Sequence, residues 1–400
     1  MPAHRGGSNG QLIFLLFYFL LSISMYLPGP YFILYLNTYV ALPWIGLAYS
    51  LNRVSNLLLE YPSGVLADKV GRLKSTMLGS FLLGMSMLVL VIFGTPKVYI
   101  VILSALLGGA GMAFISGSLE AWAVDTFGKT NMKKLFSNMG TLKNIGGVIA
   151  SILAGISVKY MGLKWPLLLS GVLGVLSPAM LFLLQDNRGH HDSRTILLKN
   201  LRMFRDIRFS MLVLIILLVS SMLSVFFVIW PITLRDVGIY ESLLGFVYFL
   251  LMTFMAIGSY LARKASSEIK GIKMFLIGGT VITSTTALLL KLNPTKPTAM
   301  LILVLLFIFE ILIGSYYVFI AHMRNSVIPS EIRASAISMI SLVNSGVGMV
   351  TLPLFLALGD LAFKWIICSI LLVFGTIVFE LWKTKYTQPA GSKPSAQSKP

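Results

Sequence analysis

The chain has 400 residues, 56% of them hydrophobic and 12% charged, with a net charge of +18 at pH 7. A soluble chain of this length cannot bury so much apolar surface, so lipid is the solvent for most of it. The basic residues recur in short loops at every second turn and form no single patch, which points to orientation across a membrane and away from a nucleic-acid partner.

A spanning helix needs about 20 apolar residues, and about twelve such runs follow one another. They cover 11–36, 43–67, 75–95, 98–126, 136–159, 164–185, 209–234, 242–262, 272–291, 298–324, 335–358 and 363–383. All must be helical, because lipid offers the backbone no hydrogen bonds. The first is too long for a signal-peptide core and lacks a small-residue cleavage site, so it reads as a retained span. Thr95-Pro96, Met161-Gly162, Asn293-Pro294 and Gly359-Asp360 supply turns. Placing the N-terminus inside puts roughly 23 basic residues in cytoplasmic segments and roughly 7 outside. Both termini are then cytoplasmic, and with no organelle-targeting segment the plasma membrane is expected.

The longest break divides the chain. Residues 1–185 form one six-helix unit and 209–383 a second. Residues 186–208 are a basic cytoplasmic linker, with Ile196 to Phe204 lying along the inner leaflet. Residues 384–400, rich in Pro, Ser, Lys and Gln, read as a disordered tail. Leu142-Lys143-Asn144-Ile145-Gly146 in span 5 recurs as Leu342-Val343-Asn344-Ser345-Gly346 in span 11, as duplicated halves would have it.

Between spans 2 and 3 lies Gly64-Val65-Leu66-Ala67-Asp68-Lys69-Val70-Gly71-Arg72-Leu73-Lys74. Gly64 is expected to let two helices approach, Asp68 to take a backbone or Arg partner, and Gly71 to permit the reversal. Lys69 and Arg72 hold the loop on the inner side. The stretch resembles the Gly-x-Leu-Ala-Asp-(Arg/Lys)-x-Gly-Arg-(Arg/Lys) loop of the major facilitator superfamily, departing at Leu73. The resemblance implies an all-α membrane protein of twelve transmembrane helices in two pseudo-symmetric six-helix bundles. It also implies that spans 1, 4, 7 and 10 line a central cavity.

Charges at bilayer depth cost several kcal/mol, so each asks for a function. Tyr49, Arg53, Asn56 and Glu60 draw one polar stripe along span 2. Its two readings are a coupling site and a hydrogen-bond network locking spans 2 and 11. Glu310, midway along span 10, is the expected proton or cation site, with Arg53 and Glu60 of span 2 as further coupling candidates; the alternative is a static partner for a Tyr or Arg. A carboxyl that alternates between dry and wet surroundings changes its hold on a proton, which is what proton carriage requires.

Glu120, Asp125 and Lys143 form a second group. Glu120 and Lys143 are about equally far from a turn near Asn131, so antiparallel neighbours place them at one depth, as a gating ion pair or a static bridge. Ser116-Gly117-Ser118-Leu119-Glu120-Ala121-Trp122-Ala123-Val124-Asp125 resembles a Ser-Gly-x-x-Glu-Ala-x-x-x-Asp segment of some bacterial efflux members. Two features of the antiporter branches are missing: no Arg precedes Gly108-Gly109-Ala110-Gly111, and span 5 has no Gly-Pro.

Pro28-Gly29-Pro30 and Trp230-Pro231 interrupt spans 1 and 7, as gate hinges or ordinary kinks. Tyr26, Tyr31, Trp122, Trp230, Tyr316 and Tyr317, with Asn56, are expected to line a substrate cavity, unless some face lipid.

Cys368 is the single cysteine and the four histidines have no metal-ligand spacing. No nucleotide-binding loop or nucleophile–base pair appears, so neither a cofactor nor an enzyme is expected. The expected function is secondary active transport by a monomer alternating access, with proton-coupled efflux of small lipophilic or amphipathic molecules. Uptake of a small polar solute or ion is the alternative, and a receptor or scaffold on the same fold a remote one.

Overall fold

A computed structural model describes residues 8–127, 132–187, 207–265, 267–292, 296–328 and 333–386. Most of the expected linker, the turn at Asn131, the Asn293-Pro294 turn and the tail beyond residue 386 lie outside them. The described residues form twelve membrane-crossing helices and no strand.

The first half comprises α1 (Ser8–Tyr26 and Gly29–Tyr39), α2 (Leu42–Val70), α3 (Arg72–Ile92), α4 (Val98–Ile115 and Ser118–Phe127), α5 (Met132–Met161) and α6 (Lys164–Leu176, continued by a 3-10 stretch, Ser177–Leu183). The second comprises α7 (Ile207–Asp236), α8 (Leu244–Ala262), α9 (Glu268–Lys291), α10 (Lys296–Val327), α11 (Arg333–Ala357) and α12 (Leu361–Tyr386). Eleven of these crossings are long and apolar enough to span lipid on hydropathy alone. The twelfth, α2, has the length, 29 residues, but carries the polar stripe. Side chains such as Ile92, Tyr160, Phe182, Val281, Met300 and Phe374 are exposed, the apolar belt that lipid covers.

The halves repeat one packing scheme. In the first, α2 packs on α4, α3 on α4 and α6, and α1 on α5 and α6; in the second, α8 packs on α10, α9 on α10 and α12, and α7 on α11 and α12. This is the pseudo-symmetry that the Leu-x-Asn-x-Gly repeat implied.

Local chemistry sets the breaks. Pro28 lacks an N–H and Gly29 sits at φ +33, so α1 splits there as expected. Gly117, at φ +74, splits α4. Pro231, by contrast, is accommodated inside an unbroken α7, so span 7 has no matching interruption.

Candidate functional site

The halves meet along α2 with α11, α5 with α8, and α1 with α7. In the membrane half away from the termini these contacts are close. A Cβ on Gly46 would lie 2.7 Å from the Cα of Pro353, and one on Gly155 3.0 Å from the Ser242 carbonyl oxygen. The Tyr31 oxygen accepts the Gly245 N–H at 2.7 Å and its hydroxyl donates to the Ser242 carbonyl at 3.5 Å, latching α1 to the start of α8.

On the side of the termini the same helices part. Among the described residues, nothing lies within 4 Å of a Cβ built on Gly64 or Gly140. A cavity of about 630 Å³ opens between α2, α4 and α11, and one of about 550 Å³ between α1, α5 and α8. The molecule is closed on one face and open on the face that bears its termini. Gly64 therefore makes no close helix contact here, contrary to expectation, because the end of α2 that carries it stands away from α11.

The stripe on α2 divides in two. Asn52, Ser55, Asn56 and Ser63 donate to the carbonyls of Ala105, Leu106, Gly109 and Ala113 on α4, at 3.0, 2.8, 3.4 and 2.9 Å. Gly108 and Gly109 admit that approach; a Cβ on Gly109 would strike the Asn52 carbonyl oxygen. The glycine run noticed in the sequence is thus a helix-packing surface. Arg53 faces the seam, where Nη2 donates to Ser224 Oγ of α7 at 3.4 Å. With Asn56 and Glu60 it lines the larger cavity. Tyr49 packs edge-on against Phe32, ring centroids 6.0 Å apart.

Glu310 is 1% exposed, and among the described residues its Oε2 has no hydrogen-bond partner. Its position on α10 is opposite the exposed Leu301, Val304 and Ile308, so it faces protein and not lipid. Tyr248 and Tyr317 lie within electrostatic reach of the carboxyl. Tyr248 also stacks on Trp230 and touches the Gly29 break, placing this group beneath the closed face. Sequence reasoning missed Tyr248 because nothing in one apolar helix marks which tyrosine turns inward.

On the open face the motif loop is the hub of a polar cluster. Arg72, 5% exposed, pairs with Asp125 of α4 and more loosely with Asp68 at 3.5 Å. Asp186, at the end of α6, caps α3: its carboxylate accepts the N–H groups of Leu73 at 2.7 Å and Lys74 at 3.2 Å. Asn187 accepts the Arg72 N–H at 3.1 Å. Gly71 sits at φ +128, a Cβ there would overlap Asp186, and Lys69 is exposed beside it. Leu73, the departure from the basic residue, is buried with Phe14 and Trp122.

This geometry gives a stability prediction. Losing the cap in Asp186→Ala should cost about 1 kcal/mol. Gly71→Ala should cost more, since it adds backbone strain to the overlap. The double variant should lose less than the sum, because removing the carboxylate removes the overlap. Thermal unfolding of the purified protein reads all three, and strict additivity would contradict the assignment.

Other expected sites move. Glu120 and Lys143 are both exposed and form no ion pair among the described residues; Asp125 pairs with Arg72 instead. Equal depth does not bring two side chains together when the helix faces carrying them diverge: Glu120 lies near Tyr18, while Lys143 enters the cavity at α8. Trp122 is 1% exposed, packed on Phe14 and Phe127 at 5.3 and 5.5 Å, not in a cavity. Tyr316 stacks on Phe275 of α9 at 4.4 Å, inside a bundle core. Tyr31 serves the latch, and Trp230 is buried against Tyr248. Tyr26 lines the cavity at α8, and Tyr317 is exposed.

A sequence model described as Major Facilitator Superfamily matches residues 14–353. The chain is 28% identical over 255 residues to "Uncharacterized MFS-type transporter YxaM" of Bacillus subtilis (strain 168), a match covering 59% of this chain and 61% of that protein. It spans, then, about three fifths of that relative's length. Among solved structures it resembles the nucleoside transporter NupG, with TM-score 0.72 and 12% identity over 94% of this chain and 99% of that one. It also resembles a bacterial homologue of the iron transporter ferroportin in the inward-facing state, with TM-score 0.73 and 17% identity over 94% and 98% of the two chains.

Proposed function

The chain belongs to the Major Facilitator Superfamily, a membrane transporter family, and on that premise we propose that it exports small amphipathic molecules in exchange for protons. The observation that carries the coupling is Glu310, enclosed at mid-depth beneath the closed face with Oε2 unpartnered. An ionised carboxyl costs several kcal/mol in such a place. For protons to enter, the carboxyl must take its proton from the far side and shed it when water reaches it from the cytoplasmic openings. Alternating enclosure and hydration makes the carboxyl a carrier.

The termini-bearing face is taken as cytoplasmic. Cargo then enters the two openings from inside, the larger of which is lined by polar Arg53, Asn56 and Ser345 together with apolar Met112, Ile337 and Leu342. That mixed lining supports an amphipathic cargo. Rocking about the seam then exchanges the faces: the Gly46–Pro353 and Tyr31–Gly245 contacts open while the ends of α2 and α11 close.

Proteoliposomes with an imposed pH gradient test the proposal, using anionic, neutral and cationic amphipathic probes. Movement of a probe against the direction of proton flow is the expected result. Movement with the protons would make the protein an uptake permease, and movement indifferent to the gradient would make it a facilitator; either overturns exchange.

A further inference from the structure

We infer that the cargo is an organic anion and that Arg53 receives its oxyanion head, an inference that rests on the transporter reading of the cavity. Arg53 stands at mid-depth on the seam, reaching α7 and α11 from α2. A guanidinium has five N–H donors. Among the described residues its hydrogen bonding is limited to the long contact with Ser224, and no carboxylate lies within ion-pair distance. Glu310 does not serve as counter-charge, being enclosed on α10 and absent from the cavity lining.

An uncompensated guanidinium at this depth is expensive. A carboxylate or phosphate arriving from the open face satisfies its fork with two parallel hydrogen bonds. Around it, Asn56, Ser341 and Ser345 offer further polar groups, while Leu57, Met112 and Leu342 offer an apolar wall for the rest of the molecule. Glu60 is the acid in this lining and sits two helical turns nearer the mouth. The companion cavity carries Lys143 and Arg263 and no acid in its lining. The companion opening therefore draws anions and repels cations, while in the larger one the charge at depth is Arg53.

Gly348 of α11 belongs to the same device. A Cβ there would fall on Nη1 of Arg53, so glycine is what leaves the guanidinium its place. Gly346, on the same helix, has nothing within 4 Å of its Cβ position and serves as control.

The test is isothermal titration of the purified full chain with naphthoate and naphthyl phosphate, against neutral naphthamide and cationic naphthylmethylammonium. Wild type should bind the anions at least about tenfold more tightly than the amide, as a charge-assisted pair supplies. Arg53→Gln should erase the preference and Arg53→Lys restore part of it. Gly348→Ala, which keeps every charge, should also weaken anion binding, while Gly346→Ala should not. Should Arg53→Gln fail to fold, the two glycine variants decide. Equal binding of amide and anion by wild type, or an anion preference surviving in Gly348→Ala and Arg53→Gln, overturns the assignment. Binding is read without a gradient, so the two proposals fail separately. Anion preference without gradient-driven transport sinks the exchange alone, whereas gradient-driven transport of the ammonium probe sinks the role of Arg53 alone.

Discussion

Glu310→Gln is expected to abolish gradient-driven accumulation while leaving the protein folded and able to exchange cargo. The substitution is nearly isosteric, and Oε2 has no hydrogen-bond partner to lose, so stability should change by no more than about 1 kcal/mol. What disappears is the group that takes and releases the proton. A charge crossing 100 mV is worth about 2.3 kcal/mol, so its loss lowers steady-state accumulation at that potential roughly fiftyfold. Gradient-free exchange of labelled for unlabelled cargo needs no net proton movement and should continue, now indifferent to pH. Accumulation unchanged in the variant would remove Glu310 from the mechanism, and exchange lost together with accumulation in a protein of unaltered melting temperature would give it a role other than carrying the proton.

The second large effect concerns the closed face. Gly245 packs where a side chain would strike the Ser151 carbonyl oxygen of α5 and lie 2.9 Å from the Tyr31 hydroxyl. Gly245→Val should therefore hold α5 and α8 apart and bias the protein toward the opposite conformation. Overpacking of this kind costs about 1–3 kcal/mol, which moves a two-state equilibrium by roughly 5- to 150-fold. Cys368, the chain's single cysteine, is buried, so a reporter such as Met252→Cys, which lines the cavity at α8, can be labelled with little background. Labelling from the termini-bearing side should fall by at least about tenfold in the Gly245→Val background. Gly64→Val makes the converse test. Its Cβ meets nothing in this state, so the substitution is tolerated here and opposes only the closure of α2 toward α11. Labelling should then hold or rise while transport falls. If both variants shift labelling in the same direction, the two glycines do not serve opposite gates.

Hydropathy and turn chemistry placed the helices because partition into lipid depends on the composition of a segment, whatever its neighbours are. On the same ground the break at Pro28-Gly29 was legible, since a proline lacks its N–H in any context. The depths of Arg53 and Glu310 followed from counting residues along a span, and the motif loop from its residue types. Their functional meaning did not follow from depth. The sequence marked Arg53 as a charge needing an explanation, and only the packing of α2 against α7 and α11 showed it facing a cavity with Ser224 beside it.

The tertiary structure alone decided which polar groups meet. Counting residues from the turn pairs Glu120 with Lys143, yet the two do not meet, while Arg72, Asp125 and Asp186 come from three separate turns of the chain and converge. Trp122, Tyr316 and Tyr26 look alike in the sequence, but two are core and one lines a cavity. The physical reason is that partition into lipid is a property of a segment summed along one axis. A contact depends also on how far each helix is rotated and how closely its neighbour approaches, and those are set by glycines such as Gly46, Gly109 and Gly348 meeting residues far away in the chain.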